Sequence, residues 1–451
     1  MKRRPNFLFF FPDQHRGDWM PGLADGGGGR RSSAWPPFRE LPLRMPNVRR
    51  LMDSGVTFTR AVTPSPLCAP ARACLASGLR YHRCGVAGNH VDYPLDQRTY
   101  YAVLRDLGYS VGGVGKFDLH KPTAWWGLDG WVDDLATLGF TQAVDNAGKW
   151  DAVDSGAETP RDPYMRYLHE RGVAEVHLRD MNGRRGSPRN RANTAPTPLP
   201  EEAYCDNWIT ENGLAMLRGF PGDRPWHLVV NFVGPHDPWD VTERMRQEWE
   251  DTEPPPPVGS DGEAAREAID VRRNYAASLG NIDRNMGRLI DAVEKRGELK
   301  DTVLVYSSDH GEMLGDFGCY GKSNPHRGSV HIPLVLCGPG IRRGAVSDVL
   351  VELQDLTATF VRTAGGDMED ALDSQSLIPV LQGRTERHRE YAISALSDRS
   401  HDWRMITDGR IKLVVRGSGE ILLYDLREDP RELQPLGAPA VSYTHLRAHE
   451  T

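Results

Sequence analysis

The stretch Ser65-Pro66-Leu67-Cys68-Ala69-Pro70-Ala71-Arg72-Ala73-Cys74-Leu75-Ala76-Ser77-Gly78 decides how the rest of the chain is read. A proline-bounded turn sets a small nucleophilic residue just before an Ala/Leu-rich run of helix-forming composition. Pro70 fits a first helical turn, where its missing N–H costs nothing, and Gly78 is a natural stop. Cys68 is therefore expected at a helix N-terminus, where unsatisfied N–H groups and the helix dipole favour an anion. Arg72, one turn on, adds a planar cationic fork able to grip an oxyanion or hold the Cys68 side chain. Taken alone, a Cys-x-Pro-x-Arg string reads first as a buried structural cysteine beside a surface arginine.

Working outward, four apolar runs read as strands buried on both faces of a mostly parallel sheet. Asn6 to Phe11 is ended by Pro12, which leaves Asp13 and Gln14 at the carboxyl edge where open α/β sheets place ligands. An acid beside an amide oxygen suits a hard divalent cation, although the same pair serves as a turn or helix cap. Thr302 to Ser308 delivers Asp309-His310-Gly311-Glu312 to that same edge. Trp226 to Val233 ends at the punctuated turn Gly234-Pro235-His236-Asp237-Pro238-Trp239, and Tyr109 to Val114 ends at Gly115-Lys116. Tyr275, Leu279, Ile282, Met286, Leu289, Ile290 and Val293 recur at helical spacing and read as a core-packing helix without chemistry. The fold class is α/β: a large central, mostly parallel mixed sheet flanked by helices, followed by a smaller region with strands near 405–406, 411–415 and 422–426.

The run Cys68-x-Pro70-x-Arg72-x-x-Leu75-x-Ser77-Gly78 resembles the sulfatase signature, in which that cysteine is oxidised to formylglycine. The likeness extends to Asp13-Gln14, to Asn47 followed by a helix and Gly55-Val56-x-Phe58, and to Gly108-Tyr109 with Gly115-Lys116. It extends further to the His236-x-Pro238 turn, to Ser308-Asp309-His310-Gly311-Glu312 with Gly321-Lys322, to residues 346–364, which resemble the helix that follows in sulfatases, and to Asp425-Leu426 with Asp429-Pro430 and Glu432-Leu433. The chain thus resembles the formylglycine-dependent, Cys-type sulfatases of the alkaline phosphatase superfamily, whose smaller C-terminal subdomain contains an antiparallel sheet.

The resemblance implies that Asp13, Gln14, Asp309 and His310 hold one divalent cation, calcium first, with manganese or magnesium as alternatives. It also implies formylglycine made from Cys68 by a maturation enzyme. Arg72 would orient that residue, Lys116 and Lys322 would contact the sulfate, and His236 would serve the leaving group. Two departures stand out. Asp118 occupies a position where many relatives carry histidine, with His120 two residues further on as a candidate substitute. The loop after Lys322 reads Asn324-Pro325-His326-Arg327 instead of an acidic pattern.

The implied function is hydrolysis of a small-molecule or carbohydrate sulfate ester to alcohol and inorganic sulfate, through the hydrated aldehyde. A thiolate would be sulfated to a stable dead end, whereas a hydrate keeps a second hydroxyl that can expel sulfate. One alternative is a phosphonate or phosphate mono- or diester hydrolase of the same superfamily, since tetrahedral oxyanions differ mainly in charge. Another is a non-catalytic binding homologue with unmodified Cys68; a cysteine hydrolase using Cys68 with His236 lacks a supporting signature.

At 451 residues, 39% of them hydrophobic and 26% charged, the composition is that of an ordinary globular enzyme. The formal charge of -7 argues against a general nucleic-acid partner, and no apolar run is long enough for a membrane span. The start, Met1 to Phe11, has too short an apolar part for a signal peptide and leads directly into Pro12-Asp13-Gln14. The six cysteines form no metal-type pairing or dense framework, which points to a reducing cytoplasm. The resemblance allows an oligomer. The expected organisation is a catalytic domain over 1–345 and a C-terminal subdomain over 346–440, truncated. Residues 441–451 back-translate to a string resembling a transposon adapter, and are read as foreign. Residues 121–200, with Trp125, Trp126, Trp131 and Trp150, read as pocket rim or as packing, and 184–200 as a long loop.

Overall fold

A computed structural model of the chain describes residues 4–22, 41–156, 158–186, 192–369 and 373–436. The segment 441–451, read above as foreign, lies outside the described residues. Eight strands form the main sheet: β1 (Asn6–Phe10), β2 (Gly55–Val62), β3 (Ser110–Gly115), β4 (Gln142–Asp145), β5 (Trp226–Asn231), β6 (Thr302–Ser307), β7 (His331–Cys337) and β8 (Ala345–Glu352). Their spatial order is β4-β3-β5-β1-β6-β7-β2-β8. All neighbours are parallel except β7, which runs antiparallel to both β6 and β2.

The phenylalanine-rich β1 occupies the middle, and its period-two alternation divides the core. Leu8 and Phe10 join one apolar cluster, together with Tyr275, Leu279, Ile282, Met286, Leu289 and Ile290 of the long helix Gly262–Lys295. Phe7, Phe9 and Phe11 join the other, with Ala71, Cys74 and Leu75 of the helix Cys68–Ser77. A residue run without polar alternation is thus what a strand covered by helices on both faces requires. The long helix begins well before the apolar positions that announced it, because its first turns carry Glu263, Arg266 and Glu267 on an outer surface.

A second sheet, β12-β11-β10-β9, is antiparallel throughout: β9 (Ala392–Ser397), β10 (Asp402–Thr407), β11 (Ile411–Arg416) and β12 (Ile421–Asp425). The strand β9 was not visible in the sequence, where its alternation is broken by small residues. The reading of 346–364 as a single helix is corrected in its first half. Residues 345–352 pair with β2 as the edge strand β8, and the helix is confined to Asp355–Thr363. The expected loop over 184–200 starts later than the sequence suggested, since the helix Ala174–Arg185 runs into it. No helix among the described residues is long and apolar enough to cross a membrane. All six cysteines are free thiols, five of them buried.

Candidate active site

Four parallel strands, β3, β5, β1 and β6, lie side by side and present their carboxyl ends to one edge of the sheet. Beyond β1 the chain stays in register with the segment after β5, Asp13 N–H donating to the Phe232 carbonyl at 3.0 Å. Asp13 and Asp309 are fully buried and stand at adjacent strand ends. Gln14 adopts φ +70, rare for a residue with a side chain, and is held there by three contacts. Its N–H donates to Asp309 Oδ1 at 3.0 Å, its carbonyl accepts from Tyr275 OH at 2.8 Å, and its side-chain nitrogen donates to Glu312.

The helix Cys68–Ser77 starts at Cys68, with Leu67 as its extended N-cap, and stops at Gly78 in the left-handed conformation. Cys68 Sγ lies 3.2 Å from His310 Nε2, 3.6 Å from Lys116 Nζ and 3.8 Å from Asp13 Oδ1. Ligand atoms of Asp13, Cys68, Asp309 and His310 all fall within 4.8 Å of one another. The Nδ1–H of His310 donates to the Gly311 carbonyl at 3.1 Å, since a carbonyl can only accept, which turns Nε2 toward the cluster.

Three cations surround this group. Arg72 donates from Nε to Asp309 Oδ2 at 3.0 Å, and its Nη2 also stands 3.5 Å from Asp13 Oδ2. Its Nη1 donates to the Lys116 carbonyl and to Asn231 Oδ1, and the guanidinium lies over the Phe11 ring. The Lys116 ammonium donates to Asp13 Oδ2 and to Cys68 Sγ, and pairs by charge with Asp118 Oδ2 at 3.1 Å. Lys322 donates to Gln14 Oε1 and to His236 Nε2, while the Nδ1–H of His236 donates to the Asp237 carbonyl at 2.6 Å. Gly115 sets the approach of Lys116. Its φ is +96, and a Cβ there would stand 1.9 Å from the Asn231 carbonyl oxygen.

The charges tune one another. Burial and Asp13 push the Cys68 thiol up, but Lys116, Lys322 and His310 outweigh them and bring it well below its ordinary value. Burial also raises the Asp13 carboxyl, and Lys116, His236, Arg72 and Lys322 pull it well below the carboxylate range. The Lys116 ammonium is disfavoured by burial and then held charged by Asp118, Asp13 and Cys68. Position 68 is therefore a place where negative charge is stabilised.

Asp13, Gln14, Cys68, Arg72, Lys116, His236, Asp309, His310 and Lys322 are thus brought together. Asp118 joins through Lys116, and its Oδ2 also stands 3.5 Å from Lys121 Nζ. His120 is directed elsewhere. Its Nε2 meets Asp145 Oδ2 at 2.7 Å and its Nδ1 faces Thr123 Oγ1. Three residues were missed by sequence reasoning. Asn231 holds Arg72, and its one signal is a polar residue closing an apolar strand. Asp206, on the helix Cys205–Gly219, accepts from the N–H groups of Val233 and Gly234 and so fixes the His236 turn. Trp403 of β10 donates from Nε1 to the Ser323 carbonyl at 3.0 Å, bracing the residue beside Lys322. Neither of these two had a local signal.

The comparison with known proteins agrees with this geometry. The family model described as "Sulfatase" matches residues 35–366. The chain belongs to the sulfatase family. This sulfatase is 25% identical over 460 residues to an arylsulfatase of Clostridium perfringens, covering 96% of this chain and 90% of that protein. It is 29% identical over 472 residues to a choline-sulfatase of Rhizobium meliloti, covering 96% and 82%. Among solved structures, the phosphonate monoester hydrolase of Agrobacterium radiobacter shares the fold with a TM-score of 0.76 and 24% identity, over 99% of this chain and 94% of that one. Membership makes the protein a sulfuric ester hydrolase of the alkaline phosphatase superfamily.

The family uses a metal ion, and the donor set here fits one: the carboxylates of Asp13 and Asp309 gather with one imidazole nitrogen whose other nitrogen is fixed by a carbonyl, and Gln14 adjoins them through its N–H on Asp309. Hard carboxylate and amide oxygens with a single nitrogen accommodate calcium, manganese or magnesium.

Proposed function

We propose that this sulfatase hydrolyses a sulfate ester of a small molecule or sugar, using residue 68 as its oxidised, aldehyde-bearing form. One observation carries the reading. The ligand atoms of Asp13, Asp309 and His310 and the Sγ of Cys68 lie within 4.8 Å of one another. When formed, the aldehyde hydrate supplies one hydroxyl for attack on sulfur and a second whose deprotonation releases sulfate. When bound, the cation acidifies the attacking hydroxyl and polarises a sulfate oxygen.

The chain's own residues do the rest. Arg72, fixed at both ends by Asp309 and Asn231, orients residue 68 and keeps the two carboxylates from repelling each other. Lys116 stands on Asp13 and Lys322 on Gln14, where they meet charge that builds on the non-bridging oxygens. The proton for the leaving alcohol comes from the His236–Lys322 pair. Lys322 Nζ donates toward His236 Nε2, and the Asp237 carbonyl holds the other ring nitrogen, so the pair presents a proton at a fixed point. Asp118, tied to Lys116, is the acid placed where it can receive a proton through that ammonium during release of sulfate.

Two measurements test the proposal. Mass spectrometry across the Cys68 peptide, after expression with a formylglycine-generating enzyme, is expected to find the aldehyde; an unmodified thiol in an active preparation overturns it. Rates on aryl sulfates are expected to exceed those on phosphonate monoesters and phosphodiesters measured in parallel, and the reverse order moves the assignment to that substrate class.

A further inference from the structure

Glu312 is fully buried, two residues beyond His310, and its carboxyl oxygens bond to Gln14 and to two backbone N–H groups. Its two oxygens face in different directions. Oε1 accepts from the backbone N–H groups of Leu314, at 3.0 Å, and Gly321, at 2.5 Å. Oε2 accepts from the side-chain nitrogen of Gln14. A primary amide has one accepting and one donating end, and nothing in its own shape says which way it points. In its ionised form Glu312 can only accept, and so turns the nitrogen of Gln14 toward itself and the oxygen toward the opposite side. That oxygen receives Lys322 Nζ, and the backbone N–H of the same residue donates to Asp309 Oδ1 of the cation cluster. The same carboxylate ties down Gly321, the residue before Lys322.

We propose that Glu312 is the positioning residue that decides which end of the Gln14 amide meets the cation, and that it sets Lys322 by the same bonds. The proposal rests on the cation site of the proposed function and goes beyond it. It assigns the polarity of one ligand to a residue outside the ligand set.

The near-isosteric substitution Glu312→Gln separates this role from simple packing. Two backbone N–H groups require an oxygen at the Oε1 position, so the new amide nitrogen must face Gln14. Gln14 then has to turn its oxygen toward position 312 and its nitrogen toward the cation. Chelator-stripped protein is titrated with calcium and with manganese by calorimetry, with no substrate present. Glu312→Gln is expected to bind about 10- to 100-fold more weakly than the parent, the usual consequence of losing a group that orients a ligand. The double variant Gln14→Glu with Glu312→Gln restores the donor–acceptor match and the total charge, and is expected to recover most of the affinity. Glu312→Asp keeps the charge, withdraws it by one methylene, and is expected to weaken binding as well, which keeps the test available should Glu312→Gln not fold. Unchanged affinity in Glu312→Gln, or no recovery in the double variant, overturns the positioning role alone. A parent protein that binds neither cation overturns the site beneath it, and the positioning role with it.

Discussion

Cys68 Sγ stands 3.2 Å from Nε2 of His310, although 242 positions separate the two along the chain. One residue begins a helix behind β2, and the other follows the end of β6. Their meeting is what turns two strand-end motifs into one site, and the predictions below each disturb a different part of what holds that meeting in place.

Removing the proton source should show a leaving-group signature. His236→Ala is expected to lower kcat by about 10²- to 10⁴-fold on sulfates of poorly acidic alcohols. On aryl sulfates with acidic phenols the loss should be much smaller, because those oxygens depart without protonation. A uniform loss across a series of leaving groups would place His236 outside proton transfer.

Arg72 neutralises two buried carboxylates at once. In chelator, where no cation shares that task, Arg72→Ala is expected to destabilise the fold by about 3–5 kcal/mol, as for a buried ion pair that loses one partner. Denaturant unfolding checks this, and Arg72→Lys should recover only part of the loss because one ammonium cannot span Asp309, Asn231 and the Lys116 carbonyl together.

Asp355 begins the helix Asp355–Thr363 and receives Arg389 and His388 from the segment entering β9. Burial raises its carboxyl, but the Arg389 guanidinium, with His388, brings it down from 3.8 to about 2. A depressed folded value means that the contribution is fully present above pH 3.8 and is lost as pH falls through 2. The stability difference between the parent and Asp355→Asn is therefore expected to be constant above pH 4 and to shrink by about 2 kcal/mol on acidification through that window. A difference independent of pH would contradict the ion-pair account.

The small antiparallel sheet reaches the catalytic edge through Trp403 and Lys412, which bond the carbonyls of Ser323 and Pro325. Trp403→Phe deletes the donor and one ring of the buried indole. It is expected to reduce kcat/KM by up to about tenfold, the value of one hydrogen bond, and to lower the melting temperature through the lost packing. Equal activity would mean that the Lys322 turn is rigid without this brace.

Much of the site was legible because its residues sit at places with local signatures. Asp13, Asp309, Lys116 and His236 each follow an apolar run, and a short apolar run without alternation, closed by Pro, Gly or a polar turn, reads as a strand covered on both faces. The resemblance of the Cys68 and Asp309 segments to sulfatase motifs then told which strand ends belong together. The strands β4 and β9 were invisible because short runs with small residues carry no clear period. The first half of 346–364 was misread because a strand at the edge of a large sheet, half exposed, offers mixed polarity that does not exclude a helix.

The sequence by itself determined the strand ends, the helix start at Cys68 and the family, since each follows from neighbouring residues or from short motifs. Only the tertiary structure decided that His120 turns away to Asp145, that Asn231 and Asp206 hold Arg72 and the His236 turn, and that Glu312 bonds the side chain of Gln14. The physical reason is directional. A buried donor or acceptor must find its partner in space, and the partner here lies tens to hundreds of residues away, where no local pattern records it.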